Sequence, residues 1–207
     1  MLQDPAPDFE SVRESGETIL WQGRPVFWPF VLHTLPILVF GAVWGFMLLG
    51  GHIQFGSAHG GKPLTGLPLL FTMVMDGIPV WISLGYCAYV VLVQGNTVYA
   101  YTNRRLIMRG GVFGTSFKSI DYDRIQELDV VVGIIDRLFN VGTVRAFCGA
   151  MTQKGARIYD RFVSIPDPYE VYKGIKGVEV DVKTDWNFPN AMRPATNPGF
   201  KTAYTPR

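Results

Sequence analysis

The chain has 207 residues, of which 48% are hydrophobic and 17% charged, with a formal net charge of +2. That length allows one modest soluble domain beside a membrane segment and excludes two large domains. The two cysteines, Cys87 in an apolar run and Cys148 in the charge-rich part, are not placed to bridge, which excludes a small disulfide-stapled secreted domain.

In chain order, residues 1–26 form a cytoplasmic N-terminal segment. Its first 20 residues are acidic (Asp4, Asp8, Glu10, Glu14, Glu17) and lack the basic-then-apolar order of a signal peptide. No charged residue then occurs from Pro25 to Gly61, and only Asp76 between Pro63 and Asn103. Residues 27–93 are expected to form a transmembrane hairpin. The first helix runs from about Phe27 to Leu49, roughly 33 Å at about 1.5 Å per residue, against a hydrocarbon core of about 30 Å. The second runs from about Leu67 to Val93. Trp21, Phe27 and Trp28 mark one end of the hairpin and Tyr99 and Tyr101 the other. A Gly-rich loop, residues 50–66, joins the helices. Residues 94–207 carry 16 of the 19 Lys and Arg. With Arg104, Arg105 and Arg109 just past the second helix, the positive-inside rule puts both termini in the cytoplasm and the loop outside. The expected location is the bacterial cytoplasmic (inner) membrane, crossed twice.

Inside the spans, Asp76 must be paired, protonated or water-facing, because a charge at that depth is costly. His33 is a candidate for binding a haem or chlorophyll-type pigment, or for pairing with Asp76; otherwise both are satisfied by backbone or by a partner chain. Gly41 and Gly45 form a GxxxG pattern that lets a second helix approach, so Gly41, Gly45 and Asp76 are the helix-packing candidates. Pro36, Pro68 and Pro79 predict kinks or irregular helix starts.

After Val93 the pattern turns to short strands: 97–102, 105–109, 116–120, 125–130, 142–148 and 156–165, with Gly110-Gly111 at a hairpin. A final helix is predicted over Pro168–Ile175, with Asp167 as N-cap, ending at Gly177. Six or seven antiparallel strands and a closing helix make a partly closed barrel or sandwich over residues 94–177.

Ile19-Leu-Trp-Gln-Gly-Arg-Pro25, ahead of the helix pair, and Thr102-Asn-Arg-Arg-Leu-Ile-Met-Arg-Gly-Gly111, after it, resemble the bacterial PH-domain membrane family (bPH2, YdbS/YdbT-like). So do Ile120-Asp-Tyr-Asp-Arg-Ile-Gln-Glu-Leu-Asp-Val130, Arg137-Leu-Phe-Asn-Val-Gly-Thr-Val144 and Ile165-Pro-Asp-Pro-Tyr-Glu-Val171, together covering roughly residues 17–176. The resemblance implies a pleckstrin-homology-like β-barrel capped by a C-terminal helix. A looser resemblance, through Trp-Gln-Gly-Arg-Pro, is to the PuhB-like photosynthetic complex assembly proteins of purple bacteria.

Nothing in the sequence points to catalysis. His33, His52 and His59 all precede the β domain, which therefore lacks the commonest general base. There is no P-loop, Gly-x-Ser-x-Gly or metal-spaced Cys/His set. No cofactor, metal or small-molecule substrate is expected. Asp121, Asp123, Glu127 and Asp129 read as a solvated strand face, and no basic stripe interleaved with aromatics predicts nucleic-acid binding. Arg104, Arg105, Arg109 and Lys118 are candidates for contacting anionic headgroups, each for about 1 kcal/mol.

Residues 178–207 are expected to be an extended tail, since Pro189, Pro194, Pro198 and Pro206 oppose a helix. Trp186, Phe188, Met192, Phe200 and Tyr204 are spaced along it like anchors for a partner. The expected function is a non-enzymatic accessory or assembly subunit of a bacterial membrane protein complex, with a photosynthetic reaction-centre/light-harvesting complex as the candidate, docked through the domain and tail. The alternative is a stand-alone lipid-binding PH-like protein.

Overall fold

The computed structural model describes residues 7–58 and 66–187. Two compact units emerge: one from the described residues up to Phe30 and from Gln94 onward, the other from Val31–Val93.

The first unit is the β domain. Its elements are α1 (Pro7–Glu10), β1 (Ile19–Gly23), β2 (Val98–Thr102), β3 (Arg105–Gly110), β4 (Ser116–Asp121), β5 (Glu127–Val131), α6 (Ile134–Leu138), β6 (Val141–Met151), β7 (Arg157–Pro166) and α7 (Pro168–Asn187). The strands form two antiparallel sheets, β1-β2-β3-β4 and β5-β6-β7. Their inner faces close over Tyr99, Leu106, Ile120, Tyr122, Ile125, Val144 and Phe162. α7 contributes Val171, Ile175, Val178 and Val182 to this core, a three-four spacing that puts one apolar stripe on the sheets.

Two sequence expectations change here. The N-terminal segment is part of the domain. β1 is the edge strand of the first sheet, with Trp21 opposite Tyr101 and Gly23 opposite Tyr99. Phe9 of α1 is wholly buried with Val98, Ala100 and Ile107, a second small core. β1 escapes sequence analysis because its partner β2 begins only after residues 24–97.

The final helix, expected to stop at Gly177, continues to Asn187, so the expected extended tail is helical over residues 178–187. A helical glycine costs about 1 kcal/mol, less than burying Val178 and Val182 gains at roughly 1.5–3 kcal/mol each. Gly174 is there for packing: a Cβ would overlap the Tyr101 hydroxyl and lie 2.9 Å from its Cζ.

The apolar insert between β1 and β2 holds α2 (Phe27–Leu32), α3 (Leu35–Ala58), α4 (Leu67–Asp76) and α5 (Ile78–Asn96). Each of the two apolar runs is broken into a pair of helices, at the prolines where the sequence predicts kinks or irregular starts. Pro36 and Pro79 each stand second in a new helix, where the missing N–H costs least. After the first break the Thr34 carbonyl accepts from the amides of Ile37 (3.0 Å) and Leu38 (3.1 Å). After the second, the Gly77 carbonyl accepts from Val80 (2.9 Å) and Trp81 (3.0 Å). Among the described residues, α5 is the one helix long and apolar enough to cross a membrane, and the apolar stretch Leu35–Leu48 of α3 is shorter. The Gly-rich loop expected from Gly50 begins later, since α3 runs to Ala58; residues 59–65 lie outside the described ones.

Candidate functional site

Two places in the β domain gather the family-like motifs. The first is a polar clasp around Glu17. Thr102-Asn-Arg-Arg105 makes the turn from β2 to β3, and its side chains reach back to residues 12–18. Asn103 Oδ1 accepts from the Thr18 amide (3.0 Å) and the Asn103 amide donates to the Thr18 carbonyl (3.1 Å). The Glu17 side chain is 0% exposed. It accepts from Arg105 Nη2 (2.9 Å) and Nε (3.0 Å), the Thr102 hydroxyl (2.8 Å) and the Glu14 amide (2.9 Å). Burial would raise its pKa, but the hydrogen bonds from Arg105, Glu14 and Thr102 outweigh it and hold the carboxyl below the ordinary glutamate value. The Tyr122 hydroxyl donates to the Thr102 carbonyl from inside the core (2.7 Å).

Three of the four predicted headgroup residues have carboxylate partners, Arg104 and Arg105 within the clasp and Lys118 outside it. Arg105 pairs with Glu17 and, at 3.5 Å, with Glu14. Arg104 pairs with Glu14 at 3.2 Å. Lys118 pairs with Asp160. Arg109 is half-buried opposite Val98. The acidic strand face is likewise occupied: Asp129 accepts from Arg145 (Nε 2.9 Å) and Glu127 pairs with Arg157. Glu17 was not singled out in the sequence; an acid four residues ahead of Trp21 in the Trp-Gln-Gly-Arg-Pro run was its only signal.

The second place is the end of the domain where the insert leaves and returns. Trp21 stacks between Tyr101 and Phe162, with ring centroids at 6.0 and 6.3 Å. Gly23 leaves room for that indole, which a Cβ would overlap. The Pro25 carbonyl accepts from Gln94 Nε2 (2.9 Å), tying the outgoing chain to the incoming one. The Val26 amide donates to the Ser164 carbonyl of β7 (2.8 Å). Trp-Gln-Gly-Arg-Pro is thus a joint between the sheets and the ends of the insert. A cleft of about 640 Å³ opens at this end, lined by residues including Val132, Arg137, Asn140, Asp167 and Tyr169.

Within the insert, Gly41 packs on Ser83 of α5, and Trp44 Nε1 donates to the Asp76 carbonyl (2.9 Å). That sets the Asp76 backbone beside the Trp44 indole. His33 lies exposed at the break before α3. A Cβ at Gly41 would overlap Ser83 Oγ and lie 2.8 Å from its Cβ, whereas at Gly45 it would meet Val80 Cγ2 at an ordinary 3.4 Å. Gly41→Ala is therefore expected to destabilise the insert by about 1–3 kcal/mol and Gly45→Ala to be near neutral. Thermal aggregation in detergent checks this, and equal melting of both variants contradicts it.

No set of three His, Cys, Asp or Glu side chains among the described residues is placed to hold a metal. Burial pushes the half-buried Cys148 thiol up, away from a nucleophilic thiolate. Trp186 falls in the last turn of α7; Phe188, Met192, Phe200 and Tyr204 lie outside the described residues.

A family model described as Bacterial PH domain (bPH_2) matches residues 37–178, taking in part of the insert and everything from β2 into α7. Among solved structures the chain is similar to a DUF1696-family protein with a pleckstrin-homology domain from Shewanella loihica. The identity is 16% and the TM-score 0.30, over 40% of this chain and 71% of that one. No curated protein matches it.

Proposed function

We propose, starting from the fact that this chain belongs to the bacterial PH domain family, that it is a two-pass protein of the bacterial cytoplasmic membrane. Its PH-like domain faces the cytoplasm and serves, without catalysis, as an accessory or assembly subunit docking other proteins of a membrane complex. The observation that carries this is the placement of the apolar insert. It sits between two paired strands, β1 and β2, so the domain cannot form its first sheet without bringing the ends of the insert together. α3, α4 and α5 expose large apolar side chains such as Phe40, Phe46, Leu70, Phe71, Trp81 and Ile82. Helices apolar on all sides are stable in lipid or against other membrane helices, not in water.

Docking of proteins is favoured over headgroup sensing because Arg104, Arg105 and Lys118 already have carboxylate partners. A headgroup would have to displace them. The tail is the proposed contact, through Trp186, Phe188, Met192, Phe200 and Tyr204. α7 starts at the joint and runs about 30 Å to the 3-10 turn Tyr122–Arg124, where Lys183 Nζ donates to the Ile125 carbonyl (2.6 Å). α7 therefore reaches the end of the domain opposite the joint. The partner is a class, a membrane protein complex; its photosynthetic version rests on sequence resemblance alone.

The test is a mild-detergent pull-down of the full chain beside a chain ending at Asn187, with mass spectrometry and an absorbance spectrum. A stoichiometric complex held by the full chain and lost by the shorter one is the expected result. Both forms running alone, with only anionic lipid retained, would replace this function by lipid binding.

A further inference from the structure

The strand registers put several segments at one end of the β domain. Gly23 ends β1 opposite Tyr99, Val98 starts β2 opposite Arg109, and Gly110 ends β3 opposite Ser116. The tip of the β3–β4 hairpin, residues 111–115, therefore lies at the joint, and it shares a small hollow with Asn96, the last residue of α5. The Val26–Ser164 hydrogen bond brings the matching end of the second sheet there too. In that sheet Val131 ends β5 opposite Thr143, and Val141 starts β6 opposite Pro166. α6 and the start of α7 follow directly.

The contrast with the far end, where Met151 and Ile158 are exposed beside the β6–β7 turn, lies in the aromatics. The exposed aromatics of this unit, among its described residues, are Phe27, Trp28, Phe113, Phe117, Phe139 and Tyr169, and all belong to these segments. Phe113 is fully exposed, at a hairpin tip where polar residues are the rule. Gly111 has φ 123°, and a Cβ there would overlap the Gly114 carbonyl, so the turn is built to hold this tip outward. Ile134 and Leu138, one helical turn apart, are 93% and 78% exposed. The turns at the far end carry Arg104, Asp123, Arg124, Gln153 and Lys154 instead.

We infer that this end of the domain is a foot in the membrane interface: Phe113 of the hairpin and Ile134 and Leu138 of α6 enter the headgroup–acyl boundary of the leaflet that α2 and α5 enter. The inference rests on the membrane reading above and adds a contact to it. The occupant is the bilayer because both ends of the apolar insert emerge among these side chains. Covalent attachment makes the lipid surface a neighbour at high effective concentration. Aromatic and aliphatic side chains at headgroup depth are what such a boundary stabilises. Exposed charges here have both signs (Arg24, Arg137, Asp167, Glu170), so the contact is apolar and not selective for one headgroup.

The experiment uses the full chain with Cys87 and Cys148 replaced by alanine and one cysteine introduced, Phe113→Cys, Leu138→Cys or Lys154→Cys. Each variant carries an environment-sensitive fluorophore and is reconstituted into vesicles of equal parts phosphatidylcholine and phosphatidylglycerol, with or without shallow doxyl-labelled lipid. Flotation reports incorporation separately. The expected result is flotation of all three, with emission at 113 and 138 blue-shifted and mostly quenched and emission at 154 unaffected. Flotation with 113 and 138 as unquenched as 154 overturns the foot and leaves the membrane anchor standing. Failure to float overturns both.

Discussion

A chain ending at Gly177 is expected to lose its folded β domain, while a chain ending at Asn187 keeps it. The ten residues between them carry Val178 and Val182, both buried in the main core. Each contributes roughly 1.5–3 kcal/mol by leaving water, so the cut removes about 3–6 kcal/mol from a total that is typically about 5–15 kcal/mol. It also removes Glu179, which lies buried between Lys176 (3.0 Å) and Lys183 (2.6 Å), and with Lys183 the tie to the Ile125 carbonyl. Far-ultraviolet circular dichroism during heating, in one detergent for both chains, is the measurement. Coincident melting curves would show that the second half of α7 adds nothing. The outcome also governs how the tail is studied, since a cut at Gly177 would confuse loss of a partner with loss of the domain.

The second large effect is expected at the clasp. Arg105→Ala leaves the Glu17 carboxylate, which has no exposed surface, without its cation. Removing one member of a buried ion pair costs about 3–5 kcal/mol, and since the Arg105 side chain keeps 14% of its exposure the lower end applies. Glu17→Ala should cost less, because the arginine left behind still reaches water and Glu14. The dependence on pH follows from the lowered pKa of Glu17. An acid whose folded pKa lies below its unfolded value, about 4.3 for glutamate, adds stability above the unfolded value. That stability is lost as pH falls through the folded one. The gap between wild type and Arg105→Ala is therefore widest near neutral pH and narrows below about pH 4. Thermal melts across that range test this, and a gap that does not change with pH would mean that Glu17 is not the group responsible.

Much of this protein was legible from local pattern. An uncharged stretch of over twenty residues, alternating strands with glycine turns between them, and Asp-Pro before the last helix each report on their immediate neighbourhood. That is why β2 to β7 and the start of α7 fall where the sequence puts them, within a few residues. The prolines of the insert were equally readable as places where helices restart.

What the sequence could not determine depends on residues far apart in the chain. β1 is a strand because β2 lies beside it, across residues 24–97, and the pleat of five residues does not announce a partner at that distance. Gly177 looks like a helix stop because glycine is a poor helix former. Only the Tyr101 phenol against Gly174, and the core waiting for Val178 and Val182, make the helix continue. Arg104 and Arg105 look like free cations until the fold brings Glu14 and Glu17 onto them. Propensity and periodicity are local energies of about 1 kcal/mol or less per residue. Burial and ion pairing at these sites are several times larger and act between distant residues, so at β1, at the clasp and in the second half of α7 the tertiary structure decides.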